Sequence, residues 1–79
     1  MMTKGEYRVG ITSDPADDDL VGQIKRQAAD LIDLIEAIDT LGMGMTQAAE
    51  VGPLKTLAQR DVERAAMWAV KAATKGPWT

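Results

Sequence analysis

The sequence predicts an all-α protein organised as an antiparallel two-helix hairpin. Alanine, leucine and isoleucine supply most of its apolar residues and phenylalanine is absent, a composition that favours helices. Two long segments repeat apolar residues at the period of an α-helix, about 100° per residue. The connection between these segments is short, so the second helix is expected to return antiparallel to the first.

The N-terminal segment shows no helical period. Tyr7, Val9 and Ile11 alternate with Arg8 and Gly10, a pattern that is typical of a short extended segment. We therefore expect residues 1–13 to form an extended arm that packs against another surface, on this chain or on a second subunit.

The first long helix is expected over residues 15–41. Asp14 is a candidate N-cap, and Pro15 suits the first helical position. Gly42 ends the periodic pattern. The centre of the apolar face consists of Leu20, Ile24, Leu31, Ile35 and Ile38.

Gln27 is the exception to this pattern, because its direction on the helix lies between two apolar residues, Leu34 and Leu20. A buried amide needs hydrogen-bond partners. Two interpretations remain open: a polar contact at the rim or between subunits, or a contact to a ligand.

A loop over residues 42–52 and a second helix over residues 53–75 complete the predicted hairpin. Pro53 is expected at the first helical position, and Gly76-Pro77 stops the helix. One side of this helix is apolar. Beside that side lies a basic ridge formed by Arg60, Arg64, Lys71 and Lys75.

The size of the chain predicts self-association. Its 79 residues allow a single domain, residues 1–79. The apolar faces of the two helices are each wide, and two helices alone cannot cover both faces. Because the chain supplies no further long helix, we expect homo-oligomerisation to complete the core.

Composition disfavours several functional classes. The chain has no cysteine and no histidine, so disulfides and the usual zinc and haem ligands are missing. We accordingly expect no metal, no cofactor and no catalytic residue. The net charge of −3 disfavours a DNA or RNA polymer as partner, and no segment is apolar enough to span a membrane.

The basic ridge allows two interpretations. It is either a solvated helix face or a surface that binds an anion. Assembly through the neighbouring apolar face would gather copies of these cations, and an anion would relieve their mutual repulsion. Arginine is well suited to bidentate contacts with phosphate.

The order of several short motifs carries a family resemblance. A Tyr-x-Val sequence lies on the arm, Ile24-Lys25 opens a helix that continues with AADLIDLIEAI, and EVGPLKTLA follows. The most specific segment, from Leu57 to Ala73, reads LAQRDVERAAMWAVKAA. From about Tyr7 to Ala73, the chain resembles the phage anti-CBASS cyclic-nucleotide sponges of the helical-hairpin type.

The resemblance implies a homohexamer of interlocked hairpins that acts in the cytoplasm of an infected bacterium. Such proteins bind cyclic oligonucleotides without cleaving them, which implies a binding protein rather than an enzyme. By removing these host messengers from solution, they block CBASS anti-phage signalling. The implied partners are cyclic dinucleotides such as cGAMP and, at a separate site, cyclic trinucleotides.

The resemblance also implies site residues. The dinucleotide pocket of the family uses a tyrosine on the arm and a lysine at the start of the first long helix, which match Tyr7 and Lys25. Arg26, next to this lysine, joins the same candidate site. The trinucleotide site uses a hydroxyl side chain two residues after the lysine and an arginine on the second helix. Gln27 occupies the hydroxyl position, a departure from the family pattern, and the arginine matches either Arg60 or Arg64.

A second functional hypothesis is a helical protein-interaction or assembly module whose basic ridge meets an acidic partner. A nuclease or phosphodiesterase is disfavoured, because metal ligands and general bases are missing. Uptake and intact release of a cyclic dinucleotide would distinguish a sponge from both.

Overall fold

The computed structural model describes residues 1–10 and 19–75. Three helices lie in these ranges: α1 over Lys4–Val9, α2 over Leu20–Glu36 and α3 over Met45–Ala73. Helices contain 78% of the described residues, and no described residue lies in a strand. The prediction of an all-α hairpin is therefore confirmed, although the bounds of its elements differ from those predicted.

The extended N-terminal arm was a wrong prediction where the structure describes it, because Lys4–Val9 form the helix α1. Thr3 and Glu6 build a capping box. The Glu6 backbone N–H donates to Thr3 Oγ1 at 3.1 Å, and the Thr3 backbone N–H donates to Glu6 Oε1 at 2.8 Å. These two bonds satisfy donors at the helix start and outweigh the short apolar alternation. Gly10 ends the helix with a φ of 81°, and the last three residues predicted for the arm lie outside the described residues.

α2 is shorter than the predicted helix at both ends. Asp19 is its N-cap and accepts from the Gly22 backbone N–H at 2.8 Å, so the helix begins at residue 20 rather than 15. The predicted cap, Asp14, lies outside the described residues. At the other end, Lys55 Nζ donates to the carbonyls of Glu36 and Ile38 at 3.0 and 2.8 Å. Because this side chain of α3 satisfies C-terminal carbonyls, α2 ends well before the predicted end at residue 41.

α3 begins at Met45, so the predicted loop over residues 42–52 was wrong, and the connection from α2 is only residues 37–44. Pro53 lies inside α3 rather than at its first position. Proline removes the hydrogen bond that its N–H would give to the carbonyl four residues earlier. That carbonyl belongs to Ala49, which is exposed to water and can be hydrated. The helix therefore continues through a residue that the sequence indicated as a boundary.

The three helices pack side by side. Gln59 on α3 donates to the carbonyl of Ile32 on α2 at 3.1 Å, and Lys55 bonds farther along α2, so the two long helices are antiparallel. α1 lies against both of them and contacts α3 near Gln59 and Glu63. The buried side chains of the described residues are Ala29, Ile32, Gln59 and Ala66.

Gly5 allows α1 to approach α2 closely. A Cβ atom at this position would overlap the backbone carbonyl of Ala29. The Gly5 backbone N–H also donates to Asp33 Oδ1 at 2.7 Å. A glycine is therefore needed at the contact, and the residue ties the N-terminus of α1 to the middle of α2.

A polar group that we call the α1 network fixes the same end of α1. It consists of Lys4, Glu36 and Gln59. Lys4 Nζ donates to Glu36 Oε2 at 2.7 Å and to Gln59 Oε1 at 3.1 Å, and Gln59 Nε2 donates to Glu36 Oε2 at 2.9 Å. The hydrogen bonds from Lys4 and then Gln59 lower the pKa of Glu36 from 4.5 to about 2. The network thus joins one residue from each of the three helices.

The core of the single chain is small for its length. Its radius of gyration is 15.5 Å, whereas a compact domain of this length would have about 12 Å. Many large apolar side chains are exposed; those on the two long helices include Leu20, Leu31, Leu34, Leu54, Leu57, Met67 and Trp68. None of the helices in the described ranges is both long and apolar enough to cross a membrane.

Candidate functional site

A cavity of about 510 Å³ lies where the end of α1 meets the start of α2 and the second half of α3. We call it the cationic cavity. Its lining residues are Arg8, Val9, Lys25, Arg60, Glu63, Arg64, Ala66, Met67 and Val70. The residues from α3 recur at intervals of three and four, so one face of that helix forms the floor of the cavity. This volume is within the range of small-molecule sites, about 300–1,000 Å³.

The charge of the cationic cavity is opposite to that of the chain. Among the described residues, four cations and one carboxylate line it, which gives a formal charge of +3 on a chain with a net charge of −3. We call Lys25, Arg60 and Arg64 the cavity cations. Within residues 1–10 and 19–75, none of these three has a hydrogen-bond or ion-pair partner. Gathered like charges of this kind favour an anion that binds among them.

Arg8 and Glu63 are the paired charges of the cavity. Arg8 Nε lies 3.1 Å from Glu63 Oε2, and the two side chains keep 25% and 42% of their exposure. Both residues also line a second, more open depression together with Lys4 and Tyr7. The ion pair therefore forms part of the wall between the cationic cavity and this Tyr7 depression.

Tyr7 and Lys25, which the resemblance assigns to one ligand, lie in different depressions of the single chain. Tyr7 is on α1 and is 78% exposed, in the Tyr7 depression. Lys25 is on α2 and lines the cationic cavity. The structure instead brings Lys25 together with Arg60 and Arg64, one of which the resemblance assigns to a separate trinucleotide site.

Arg26 is turned away from the cationic cavity and toward α1. Its Nη1 lies 3.1 Å from Glu6 Oε2, and its Nη2 lies 3.0 Å from Asp30 Oδ1. Its bond to Glu6 raises the pKa of Arg26, while a backbone hydrogen bond at Thr3 and then Arg26 lower the pKa of Glu6. In the single chain, Arg26 therefore acts as a structural tie between α1 and α2.

Gln27 lies in an apolar groove on another face of the hairpin. The other residues that line this groove are Ile24, Ala28, Asp30, Leu31, Leu34, Val62, Ala65, Ala66 and Ala69. Gln27 itself is exposed. It does not line the cavity that contains Arg60 and Arg64.

The four residues of the basic ridge do not share one site. Lys71 Nζ lies 5.6 Å from the centre of the Trp68 ring, a cation–π contact. Lys75 is exposed near the end of α3. Only Arg60 and Arg64 reach the cationic cavity.

No metal site is present in the part of the chain that the structure describes, since no three acidic side chains there come together to hold an ion. Among the described residues that line the cationic cavity, only Glu63 carries a carboxylate, and this carboxylate is paired with Arg8. The arrangement is suited to electrostatic binding of an anion.

A family model of the Acb2/Tad1 hairpin domain matches residues 6–74. The chain belongs to the Acb2/Tad1 hairpin family. This is the family of anti-CBASS cyclic-nucleotide sponges, which implies that the chain sequesters cyclic nucleotides. The Acb2/Tad1 family consists of binding proteins rather than enzymes. No curated protein and no solved structure matches the chain.

Membership in the Acb2/Tad1 family confirms the resemblance, but three structurally important residues were not singled out from the sequence. Arg8 and Glu63 line the cationic cavity, and Gln59 is buried in the α1 network. The four-residue signal Thr3-x-x-Glu6 could have predicted α1. With α1 in place, Arg8 would have been expected on a helix that packs near α3.

Proposed function

We propose that the chain sequesters cyclic dinucleotides such as cGAMP, without cleaving them, in the cationic cavity. The observation that carries the proposal is a group of three cations around a volume of about 510 Å³. These cavity cations, Lys25, Arg60 and Arg64, have no partner among residues 1–10 and 19–75. A cyclic dinucleotide presents two phosphodiester anions on one ring. Binding it would compensate the local positive charge of an otherwise anionic chain.

The cavity offers complementary contacts for both parts of such a ligand. The guanidinium groups of Arg60 and Arg64 can each donate two hydrogen bonds to one phosphate. Lys25 supplies a point charge from the opposite helix. Ala66, Met67 and Val70 provide an apolar surface for the ligand, and the flexible thioether of methionine adapts to different shapes.

Tyr7 is proposed to stack on a base of the same ligand. Its ring is 78% exposed and therefore accessible. Aromatic stacking contributes about 1–3 kcal/mol per base in proteins that bind nucleotides. Arg26 contributes indirectly, because its ion pair with Glu6 holds the helix that carries Tyr7.

A cyclic trinucleotide site that combines Gln27 with Arg60 or Arg64 would need residues from more than one subunit. In one chain, Gln27 lines the apolar groove and the arginines line the cationic cavity. We therefore assign both arginines first to the dinucleotide and treat uptake of trinucleotides as a separate property of the assembly.

The assembly is proposed to be a homohexamer. Exposed leucine side chains on both long helices, including Leu34 at 68% and Leu54 at 62%, support this proposal. Large exposed apolar patches mark interaction surfaces. A second copy of the chain offers a matching apolar face, and sedimentation at micromolar concentration tests this: a folded monomer would contradict it.

Action in the cytoplasm of an infected bacterium completes the proposal. There the protein would lower the concentration of free messenger and so block CBASS signalling. Affinity alone is sufficient for this role, because a small rigid ligand loses little conformational freedom when it binds.

The experiment follows the fate of the ligand. The purified protein is incubated with cGAMP, free ligand is measured by chromatography, and the protein is then denatured by heat. We expect depletion followed by recovery of intact cGAMP. Cleaved product would indicate an enzyme, and a ligand that is never depleted would favour the interaction module with an acidic partner.

Two adjacent residues provide a matched pair of variants. Lys25→Ala should weaken uptake by about tenfold or more, because a charged contact contributes about 1.5–3 kcal/mol. Arg26→Ala removes the same charge at the next position but outside the cavity. Calorimetry should show a much smaller effect for Arg26→Ala, and equal losses for both variants would contradict the assignment of Lys25.

A further inference from the structure

The Arg8–Glu63 ion pair lies between the Tyr7 depression and the cationic cavity. Tyr7 lies on one side of the Arg8–Glu63 ion pair, and the cavity cations lie on the other. Arg8 and Glu63 line both spaces. A ligand that reaches Tyr7 and Lys25 of the same chain must therefore pass this ion pair or displace it.

The ion pair has the properties of a contact that can open. It is one hydrogen bond of 3.1 Å from Arg8 Nε, and solvent reaches both partners, since Arg8 and Glu63 keep 25% and 42% of their side-chain exposure. Exposed ion pairs contribute only about 0.2–1 kcal/mol. A phosphate can replace the carboxylate, because it presents several acceptor oxygens to the same guanidinium.

Glu63 also places a negative charge among the cations of the cavity. It is the only carboxylate among the described lining residues of the cationic cavity. It lines the same cavity as Arg60 and Arg64, and it follows Arg60 by three residues on one face of α3. Through its bond to Arg8, the Glu63 carboxylate occupies the guanidinium that could otherwise donate to a phosphate.

We propose that the Arg8–Glu63 ion pair is a displaceable gate between the Tyr7 depression and the cationic cavity. When a cyclic dinucleotide binds, Arg8 transfers its hydrogen bond from Glu63 to a phosphate, and the two depressions join into one site. Arg8 is then a ligand-binding residue, and Glu63 is a positioning residue that acts through Arg8. This inference rests on the proposed function of the cavity.

The first test measures cGAMP affinity by calorimetry for Glu63→Gln and for a matched control. Glu63→Gln removes the competing carboxylate and should raise the affinity by about two- to fivefold, as expected for an exposed ion pair. Asp61→Asn removes the same charge from the same helix at a residue that does not line the cavity. An equal gain in both variants would show a general charge effect and would overturn the gate.

The second test asks whether Glu63 acts through Arg8. Arg8→Ala should weaken binding, and the gain from Glu63→Gln should disappear in the Arg8→Ala background. A gain of the same size in both backgrounds would overturn the proposal. Loss of helix content would show that Arg8→Ala releases α1, and Arg8→Met, which keeps a long side chain but cannot donate to Glu63, then replaces it in the cycle.

A third measurement separates failure of the gate from failure of the proposed function. If the wild-type protein binds no cyclic nucleotide, the proposed function is wrong. Titration with pyrophosphate still tests the gate. This small polyanion has no nucleobase, so its binding requires the cations of the cavity but not stacking on Tyr7. Tighter pyrophosphate binding by Glu63→Gln than by Asp61→Asn would support the gate, and equal binding would reject it.

Discussion

The α1 network and the cationic cavity lie at the two ends of the same short helix but use their charges differently. In the α1 network, Lys4 and Glu36 form an ion pair of 2.7 Å, and Gln59 donates a further bond to the carboxylate. In the cavity, three cations have no partner among the described residues. The charges that fix α1 are thus paired within the chain, whereas Lys25, Arg60 and Arg64, which we propose to bind a ligand, have no partner among the described residues.

The largest expected effect follows from removing the charge of the cavity. Arg60→Ala combined with Arg64→Ala should weaken cGAMP binding at least about a hundredfold, since two charged contacts are lost at about 1.5–3 kcal/mol each. Calorimetry measures the affinity. The helix content should remain unchanged, because neither arginine has a partner in the described part of the chain.

A control for this double variant removes the same charge from the same helix. Lys71 and Lys75 lie on α3 or next to its end and do not line the cavity. Lys71→Ala combined with Lys75→Ala should reduce cyclic-dinucleotide affinity far less. Comparable losses in the two double variants would mean that net charge, rather than the cavity, determines binding.

The second prediction concerns the contact that holds α1 against α2. Gly5→Ala should displace α1, because its Cβ would overlap the carbonyl of Ala29. Overpacking of this kind typically costs about 1–3 kcal/mol. Chemical denaturation measures the loss of stability, and cGAMP affinity should fall as well, since Arg8 leaves the cavity with α1.

Gly52→Ala is the matched control for Gly5→Ala. Gly52 lies inside α3, and a Cβ there meets no atom within 4 Å. Alanine is the better helix former, by about 1 kcal/mol, so this variant should be as stable as the wild type or more stable. If Gly5→Ala behaved in the same way, the close contact between α1 and α2 would not exist in solution.

The sequence was sufficient to predict the hairpin, because the apolar period of its two long segments is strong and both form helices. It was not sufficient for the ends. The C-terminus of α2 is set by Lys55, a residue on α3, and such a tertiary contact leaves no local signal. Pro53 misled the prediction of α3 because one lost hydrogen bond at an exposed carbonyl did not end the helix.

The sequence predicted only part of the candidate site, because the rest depends on contacts between helices. Helical projection placed Arg60 and Arg64 on one ridge, and the structure places both in one cavity. That Lys25 joins them depends on how α2 packs on α3, which single-helix periodicity does not determine. That Arg8 lines the cavity depends on α1, a segment whose apolar alternation predicted an extended arm instead of a helix.

The smallest expected effect concerns the pH dependence of the α1 network. Hydrogen bonds from Lys4 and Gln59 lower the pKa of Glu36 from 4.5 to about 2. A carboxyl group with a lowered folded-state pKa contributes stability that is fully present above its unfolded-state pKa, and this stability is lost as the pH falls through the folded-state value. The hold on α1 should therefore weaken between about pH 4.5 and pH 2.

Hydrogen exchange of the Gly5 amide reports this change, because this N–H is bonded to Asp33 at the contact of α1 with α2. We expect its protection factor to fall over that pH range. In Glu36→Gln the protection should be lower near neutral pH and should depend less on pH. A residual dependence belongs to Glu6, whose pKa is also lowered, by Thr3 and Arg26. Glu36 does not line the cationic cavity, so cGAMP affinity near neutral pH should change less in Glu36→Gln than in Lys25→Ala. An equal loss of affinity in the two variants would mean that the docking of α1, rather than the cavity cations, limits binding.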